Sequence, residues 1–333
     1  MSGVRFMLGN MKNLNTTKLV CIGLGHVGSS VLAYAMESGL FADIAAIDVN
    51  DKVAHGEALD HDQSTGVPGV DHIHVHAGTY ADCADADLII VSAGASMQPD
   101  PDNPGSAPDR AELAVSSGHV IRNVMEGITA HTSEAVILFI TNPLDAMVTL
   151  AHREFDYPRE LLFGTGTMLD SARLRGAIGR ELGIDPKSVT GYMMGEHGMT
   201  AFPVLSKMNV QGLGWEELEE LHQGSLPGKE ELKETVVGAA YDVFNAKGWT
   251  DAGVARSAVA IARSIMLDEK AVHPVCSMLE GEYGIDDVAL SMPSVVGRGG
   301  VEKRLAPKLD EWETQKLAES ASYIRATFER TQS

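Results

Sequence analysis

The chain has 333 residues, enough for two cores, and its 44% hydrophobic and 22% charged residues are the proportions of an ordinary globular protein. A formal charge of −20 argues against nucleic acid and anionic membrane surfaces as partners, since both need a basic face, and any small anion bound here needs local arginines. No apolar run is long enough to span a bilayer, residues 1–18 lack the features of a secretory signal, and Cys21, Cys83 and Cys276 are scattered, so a cytoplasmic chain with reduced thiols is expected.

Residues 1–15 read as a loose extension. Beyond them, apolar or alternating runs at Leu19–Leu24, Ile44–Val49, His72–His76, Asp87–Ser92 and Ala135–Thr141 predict strands. Helical patterns at His26–Ser38, Asp51–Gln63 and Ser106–Thr132 lie between them. That alternation predicts a parallel sheet covered on both faces. After about residue 165 the texture changes. A helix over Leu169–Leu182 leads to a strand-like Ser188–Met194, an apolar Thr200–Met208 and an acidic Glu216–Glu220. Helices over roughly 229–247 and 250–267, strands at Val272–Met278 and Val288–Val296 and an amphipathic Asp310–Thr327 complete an α+β half.

Gly23-Leu24-Gly25-His26-Val27-Gly28 follows the first strand and opens the first helix. In a G-x-G-x-x-G turn the first glycine permits a tight bend, the second lets a pyrophosphate approach the backbone, and the third lets helix and strand pack closely. A lone glycine turn is weak evidence. It gains weight from Asp48, twenty residues after Gly28 at the end of the next strand, where a carboxylate can bind ribose hydroxyls and repel a 2′-phosphate. NAD, not NADP, is the expected cofactor. His72, His74 and His76 share one face of the third strand; alternate histidines can chelate a metal, but a solvated strand face is the simpler reading, and no metal is expected.

Chemical candidates lie elsewhere. Asp170 and Arg173 are three apart at a helix start, an arrangement that suits a carboxylate clamp but equally a surface pair. His197 stands between glycines in Gly195-Glu196-His197-Gly198 after an apolar strand; beside a buried aspartate it would hold a proton at neutral pH. Asn142-Pro143 ends the fifth strand, at the carboxyl edge where such sheets bind ligands. Ala95–Asp109, with four prolines and no lysine or arginine, reads as a lid that delivers Arg110 from the first turn of the next helix.

Taken together, GLGHVG, AAIDVN, VSAGA, PDRAEL, ITNPLD, GTMLDSARLR, GYMMGEHG and KGWTDAGVA resemble the lactate/malate dehydrogenase superfamily from Lys18 to about Phe328. The resemblance implies a Rossmann-type NAD-binding domain over residues 18–165 and an α+β substrate domain over 166–330. It implies that Gly23, Gly25, His26, Val27, Gly28, Asp48, Ala93, Gly94 and Asn142 hold the cofactor. It makes His197 the acid/base, Asp170 its orienting partner, Arg173 the carboxylate clamp and Arg110 the group that polarises the carbonyl, with Asn142 and Thr250 lining the substrate pocket. A homotetramer, or in some members a homodimer, is also implied.

Within that superfamily, DNPGSAPDRAEL, GTGTMLDSAR, SVTGYMMGEHG and LSMPSVVGRGGV look most like the L-2-hydroxyisocaproate dehydrogenases, lactate dehydrogenase-like enzymes with a lengthened lid. The expected substrate is then a 2-oxo monocarboxylic acid with an apolar side chain, accommodated by Met97 and by the small Ala239 and Ala240; L-lactate dehydrogenase is the alternative. A malate enzyme is less favoured, because an arginine-free lid would leave a second carboxylate unpaired at a cost of several kcal/mol. Arg175 matches one residue of a sugar-phosphate activator site in bacterial relatives, but Thr190 stands where its histidine would be, which argues against that activation. NAD-dependent glycosidases share the architecture and use a metal held by cysteine and histidine; no cysteine adjoins GEHG or NPLD in the sequence.

Overall fold

The computed structural model describes residues 16–95 and 110–332, without the Arg110 side chain. The first half runs β1 (Lys18–Ile22), α1 (His26–Glu37), β2 (Asp43–Ile47), α2 (Asp51–Ser64), β3 (His74–Ala77), β4 (Leu88–Val91), α3 (Ala114–Thr129), β5 (Val136–Phe139), α4 (Leu144–Glu154) and β6 (Leu162–Gly164). Those six strands are parallel in the order β3-β2-β1-β4-β5-β6. Successive residues of a strand point to opposite faces, so a strand covered on both sides must be apolar throughout. In β1, Leu19 and Cys21 pack with Leu32 and Ala35 of α1 on one face. Val20 and Ile22 pack on the other, in the layer that holds Ile121 and Ile128 of α3 and Met147 and Leu150 of α4.

The second half runs α5 (Met168–Leu182), β7 (Val189–Thr190), β8 (Met193–Met194), β9 (Phe202–Pro203), β10 (Asn209–Val210), β11 (Leu213–Gly214), α6 (Trp215–Leu221), α7 (Lys229–Lys247), α8 (Ala252–Met266), β12 (Ala271–Met278), β13 (Ala289–Gly297), β14 (Gly300–Arg304) and α9 (Glu311–Arg330). Strands β12–β14 are antiparallel and extend the parallel sheet beyond β6 to nine strands. Helix α8 brings Ala258, Ile261 and Ile265 onto the same face as α1, so both halves share a core.

The expected strand over 188–194 is broken into β7 and β8, separated by Gly191 and Tyr192. β3 starts at His74, not His72. Helix α4, β6 and β14 were not expected from the sequence. In α4, Leu144 to Ala151 are all buried, Asp145 and Thr149 included, so these two polar residues mark no solvent face.

Candidate active site

The glycine turn is built by close approach. Gly23 has φ of +90°, and a Cβ there would meet the Ala93 nitrogen at 2.4 Å; a Cβ on Gly28 would meet the Gly23 carbonyl oxygen at 1.8 Å. Either side chain would push helix and strand apart. Gly25 differs: a Cβ there would meet nothing within 4 Å, so its face opens onto space. Gly25 also begins α1 without a side-chain cap, leaving the first N–H groups of the helix for a bound anion. Asp48 fixes the turn, accepting from the Leu24 N–H at 2.8 Å and the Asn50 N–H at 2.9 Å. Ala93 takes a bond from the Thr141 hydroxyl on its carbonyl oxygen at 2.6 Å, which ties the β4 end to the β5 end.

This turn forms one end of a cleft of about 510 Å³, lined by Gly25, His26, Val27, Gly28, Gly94, Asn142, Arg173, His197, Trp249 and Thr250 among others. His26 and Trp249 stack face to face across it, with centroids 3.9 Å apart. The Asn142 Oδ1 atom is buried without a hydrogen-bond partner, which is costly unless a ligand group supplies a donor. An uncapped helix start, an open glycine face and an orphaned buried amide oxygen fit a dinucleotide whose reactive end reaches Asn142.

At the other end lies the histidine. His197 and Asp170 are both buried, with His197 Nδ1 2.6 Å from Asp170 Oδ2. Arg173 donates from Nη1 to Asp170 Oδ1 at 3.0 Å. Asp170 and Arg173 therefore do form a pair, but one whose carboxylate also holds the imidazole. The loop that presents His197 is fixed from three sides. Gly195 (φ +92°) bridges to Ser291 of β13, the Glu196 N–H donates to Ser320 Oγ of α9 at 2.8 Å, and the His197 N–H donates to Asp145 Oδ2 at 2.8 Å. Burial and the neighbouring Glu196 push the Asp145 carboxyl up to about 8, against the pull of the His197 N–H and the Cys276 thiol. Cys276 is thus near NPLD in space although remote in sequence. It is fully buried, and burial with the neighbouring Asp145 drives its thiol well above the ordinary range.

Of the other expected residues, Ala239 is half-buried on α7 and does not line the cleft among the described residues; Phe244, five residues on, does. Arg110 starts a short 3₁₀ turn, Arg110–Leu113, whose Leu113 lines the cleft, while its own side chain lies outside the described part. Met97 and residues 96–109 of the lid also lie outside the described residues. Trp249 and Asp145 went unnoticed in the sequence, although each adjoins or lies within a recognisable motif, KGWTDAGVA and ITNPLD.

A doubly wound sheet with a dinucleotide turn, and a buried histidine–aspartate pair with an arginine in the same cleft, define a pyridine-nucleotide dehydrogenase. The family model for the lactate/malate dehydrogenase NAD binding domain matches residues 17–164, and that for the lactate/malate dehydrogenase alpha/beta C-terminal domain matches 167–333. The chain belongs to the lactate/malate dehydrogenase family, and is an NAD-dependent oxidoreductase acting on 2-hydroxy acids. It is 38% identical over 315 residues to L-lactate dehydrogenase 2 of Clostridium acetobutylicum, covering 94% of this chain and 97% of the relative. It is 37% identical over 316 residues to the L-lactate dehydrogenase of Selenomonas ruminantium, covering 95% and 98%. Among solved structures, the minor L-lactate dehydrogenase from Enterococcus mundtii superposes with a TM-score of 0.86 at 31% identity, covering 95% of this chain and 98% of that one. These relatives favour the L-lactate dehydrogenase alternative over the hydroxyisocaproate branch expected from the sequence.

Proposed function

We propose that the chain interconverts pyruvate and L-lactate, with residues 18–165 holding NAD and residues 166–330 supplying most of the substrate site. The observation that carries this reading is the opening of the Asp170–His197–Arg173 constellation onto the same cleft as the glycine turn. Bound NADH supplies the hydride. His197 uses Nδ1 to hold Asp170, so Nε2 donates the proton to the carbonyl oxygen as the carbonyl carbon becomes tetrahedral; in the oxidative direction it takes that proton back. Asp170 keeps the ring oriented and stabilises its cation, as a buried carboxylate does for a catalytic imidazole. Arg173 binds the substrate carboxylate through its planar fork. Arg110 polarises the carbonyl, and Asn142 supplies its buried amide oxygen to the nicotinamide end of the cofactor or to substrate.

Pyruvate is preferred on the strength of the lactate dehydrogenase relatives. A larger apolar 2-oxo acid is the second reading, favoured by the arginine-free stretch 95–109 that contains Met97. NADH oxidation with pyruvate, 2-oxobutyrate, 2-oxoisocaproate, phenylpyruvate and oxaloacetate separates the two. The highest kcat/KM is expected with pyruvate or 2-oxobutyrate. A tenfold advantage for 2-oxoisocaproate would move the assignment to the second reading, since even one methylene carries about tenfold or more in an apolar pocket. A preference for oxaloacetate would overturn the monocarboxylate assignment altogether.

A further inference from the structure

The amino-terminal edge of the parallel sheet, opposite the cleft, carries a second set of ionisable groups. Lys18, Asp43 and His74 are the first residues of β1, β2 and β3 and stand side by side in register. His74 Nδ1 is 2.8 Å and His76 Nε2 is 3.5 Å from the same oxygen, Asp43 Oδ1. Asp82, from the turn after β3, places its Oδ1 3.9 Å from His76 Nε2. The sequence alternation showed only the two rings; the parallel register adds the carboxylate.

Three features make this a ligand set and not merely a solvated face. His76 Nδ1 lies 3.2 Å from the Ala77 carbonyl oxygen and can donate its proton there, which turns a lone pair on Nε2 toward Asp43 and Asp82. In that tautomer the lone pair faces two carboxylate oxygens, a repulsion that a cation between them relieves. The 3.5 Å separation of His76 Nε2 from Asp43 Oδ1 is too long for a good hydrogen bond, yet matches an edge of a metal polyhedron. With bonds of about 2.0–2.2 Å, neighbouring ligands fall roughly 3–3.5 Å apart. Next, the rings of His74 and His76 are stacked with centroids 4.8 Å apart, an arrangement two imidazolium cations would oppose and two neutral ligands accept. Last comes local charge. Asp43, Asp82 and Asp85 face a single ammonium, Lys18, which is bonded to Asp85 at 2.7 Å and Asp82 at 3.1 Å and lies 3.9 Å from Asp43. With neutral rings the cluster keeps two net negative charges, enough to match a divalent ion despite the competing lysine.

We propose that Asp43, His74 and His76 form a surface site for a late first-row divalent metal, with water completing the coordination. Two imidazole nitrogens select zinc, nickel or copper over magnesium and calcium, which demand oxygen. The ion would pin β3, an edge strand of the sheet, to β2. Isothermal titration of zinc chloride into the full chain, freed of metal by EDTA and dialysis, tests this. One equivalent is expected to bind with Kd tighter than about 0.1 mM. His74→Gln and His76→Gln should each weaken that step at least about tenfold, and His72→Gln should leave it unchanged. Zinc should raise the melting temperature of the unsubstituted chain but not of the double variant. The His74 and His76 side chains are 67% and 28% exposed and glutamine is polar and of similar reach, so these variants should fold, and NADH oxidation, which depends on the far edge of the sheet, reports whether they do. Absence of binding in this range, or equal binding by the double variant, would overturn the proposal.

Discussion

The two edges of the same parallel sheet each hold a histidine against an aspartate, and the pairs have nearly the same length. His197 Nδ1 lies 2.6 Å from Asp170, and His74 Nδ1 lies 2.8 Å from Asp43. Their surroundings differ in every other respect. The first pair is over 90% buried on both sides, and its loop is fixed by hydrogen bonds from α4 and α9. The second lies among solvated charges at the start of an edge strand. Distance alone therefore does not tell a catalytic pair from a surface pair. Water screens an exposed pair to roughly 0–1 kcal/mol. Removing one partner of a buried pair strands the other charge at a cost of about 3–5 kcal/mol. The fold spends its rigid contacts at the carboxyl edge, on the loop and helices that hold His197 and Asp170.

The largest effect should come from breaking the buried pair. His197→Asn removes the exchangeable proton while keeping a polar side chain of similar reach. Pyruvate reduction should fall by at least about a thousandfold in kcat/KM, at the strong end of general acid–base contributions. NADH affinity, measured by fluorescence titration, should change less than about threefold, because the glycine turn lies at the other end of the cleft and Asp48 is bonded to that turn. Turnover within tenfold of the unsubstituted enzyme would place the proton carrier elsewhere.

The contrast also marks what a sequence can reveal. Motifs that are local in the chain were legible: the glycine turn, the Asp170–Arg173 spacing, and His197 in its glycine frame. Strands β1, β2, β4 and β5 were legible because a doubly covered sheet demands uninterrupted apolar runs, whereas the three-residue β6 was not. Nor was helix α4: polar residues recur in it at Asp145, Thr149 and Arg153, but the first two are buried and mark no solvent face. Contacts between remote segments were hidden too. Nothing in the order of residues places Asp43 beside His74, Cys276 beside Asp145, or Trp249 on His26; parallel register, strand β12 and the turn after α7 do so. The hydroxyisocaproate assignment drew on the lid and on GTGTMLDSAR, SVTGYMMGEHG and LSMPSVVGRGGV, whereas the comparisons along the whole chain favour lactate dehydrogenases.

Asp145 sharpens the comparison from within the buried edge. Its carboxyl is held at about 8 in the folded chain against an ordinary value of 3.8, so between those values the folded state binds a proton that the unfolded state does not. Stability from this group must then fall as pH rises from about 4 toward 8 and level off above. Asparagine can still accept the His197 N–H but does not titrate. Asp145→Asn should therefore keep kcat within about tenfold, because the loop stays in place. It should also gain stability relative to the unsubstituted chain as pH rises from 5 to 8, by about 1 kcal/mol or more. Urea unfolding at three pH values measures the difference. Parallel curves would show that the carboxyl is ionised throughout and that its burial is compensated by another partner.

The smallest effect belongs to the exposed pair. In the presence of EDTA, His74→Gln removes a 2.8 Å contact to Asp43 but leaves Lys18 and His76 beside that carboxylate and solvent around it. The loss in unfolding free energy should be about 0.5 kcal/mol or less, and kcat/KM for pyruvate should be unchanged. A loss above about 2 kcal/mol would mean that the amino edge is as strongly coupled to the fold as the catalytic edge. Burial would then not be what separates the two pairs. The same variant measured with zinc present reads a different quantity. There the unsubstituted chain gains the binding free energy of the ion and the variant does not, so the gap between them should widen with zinc concentration.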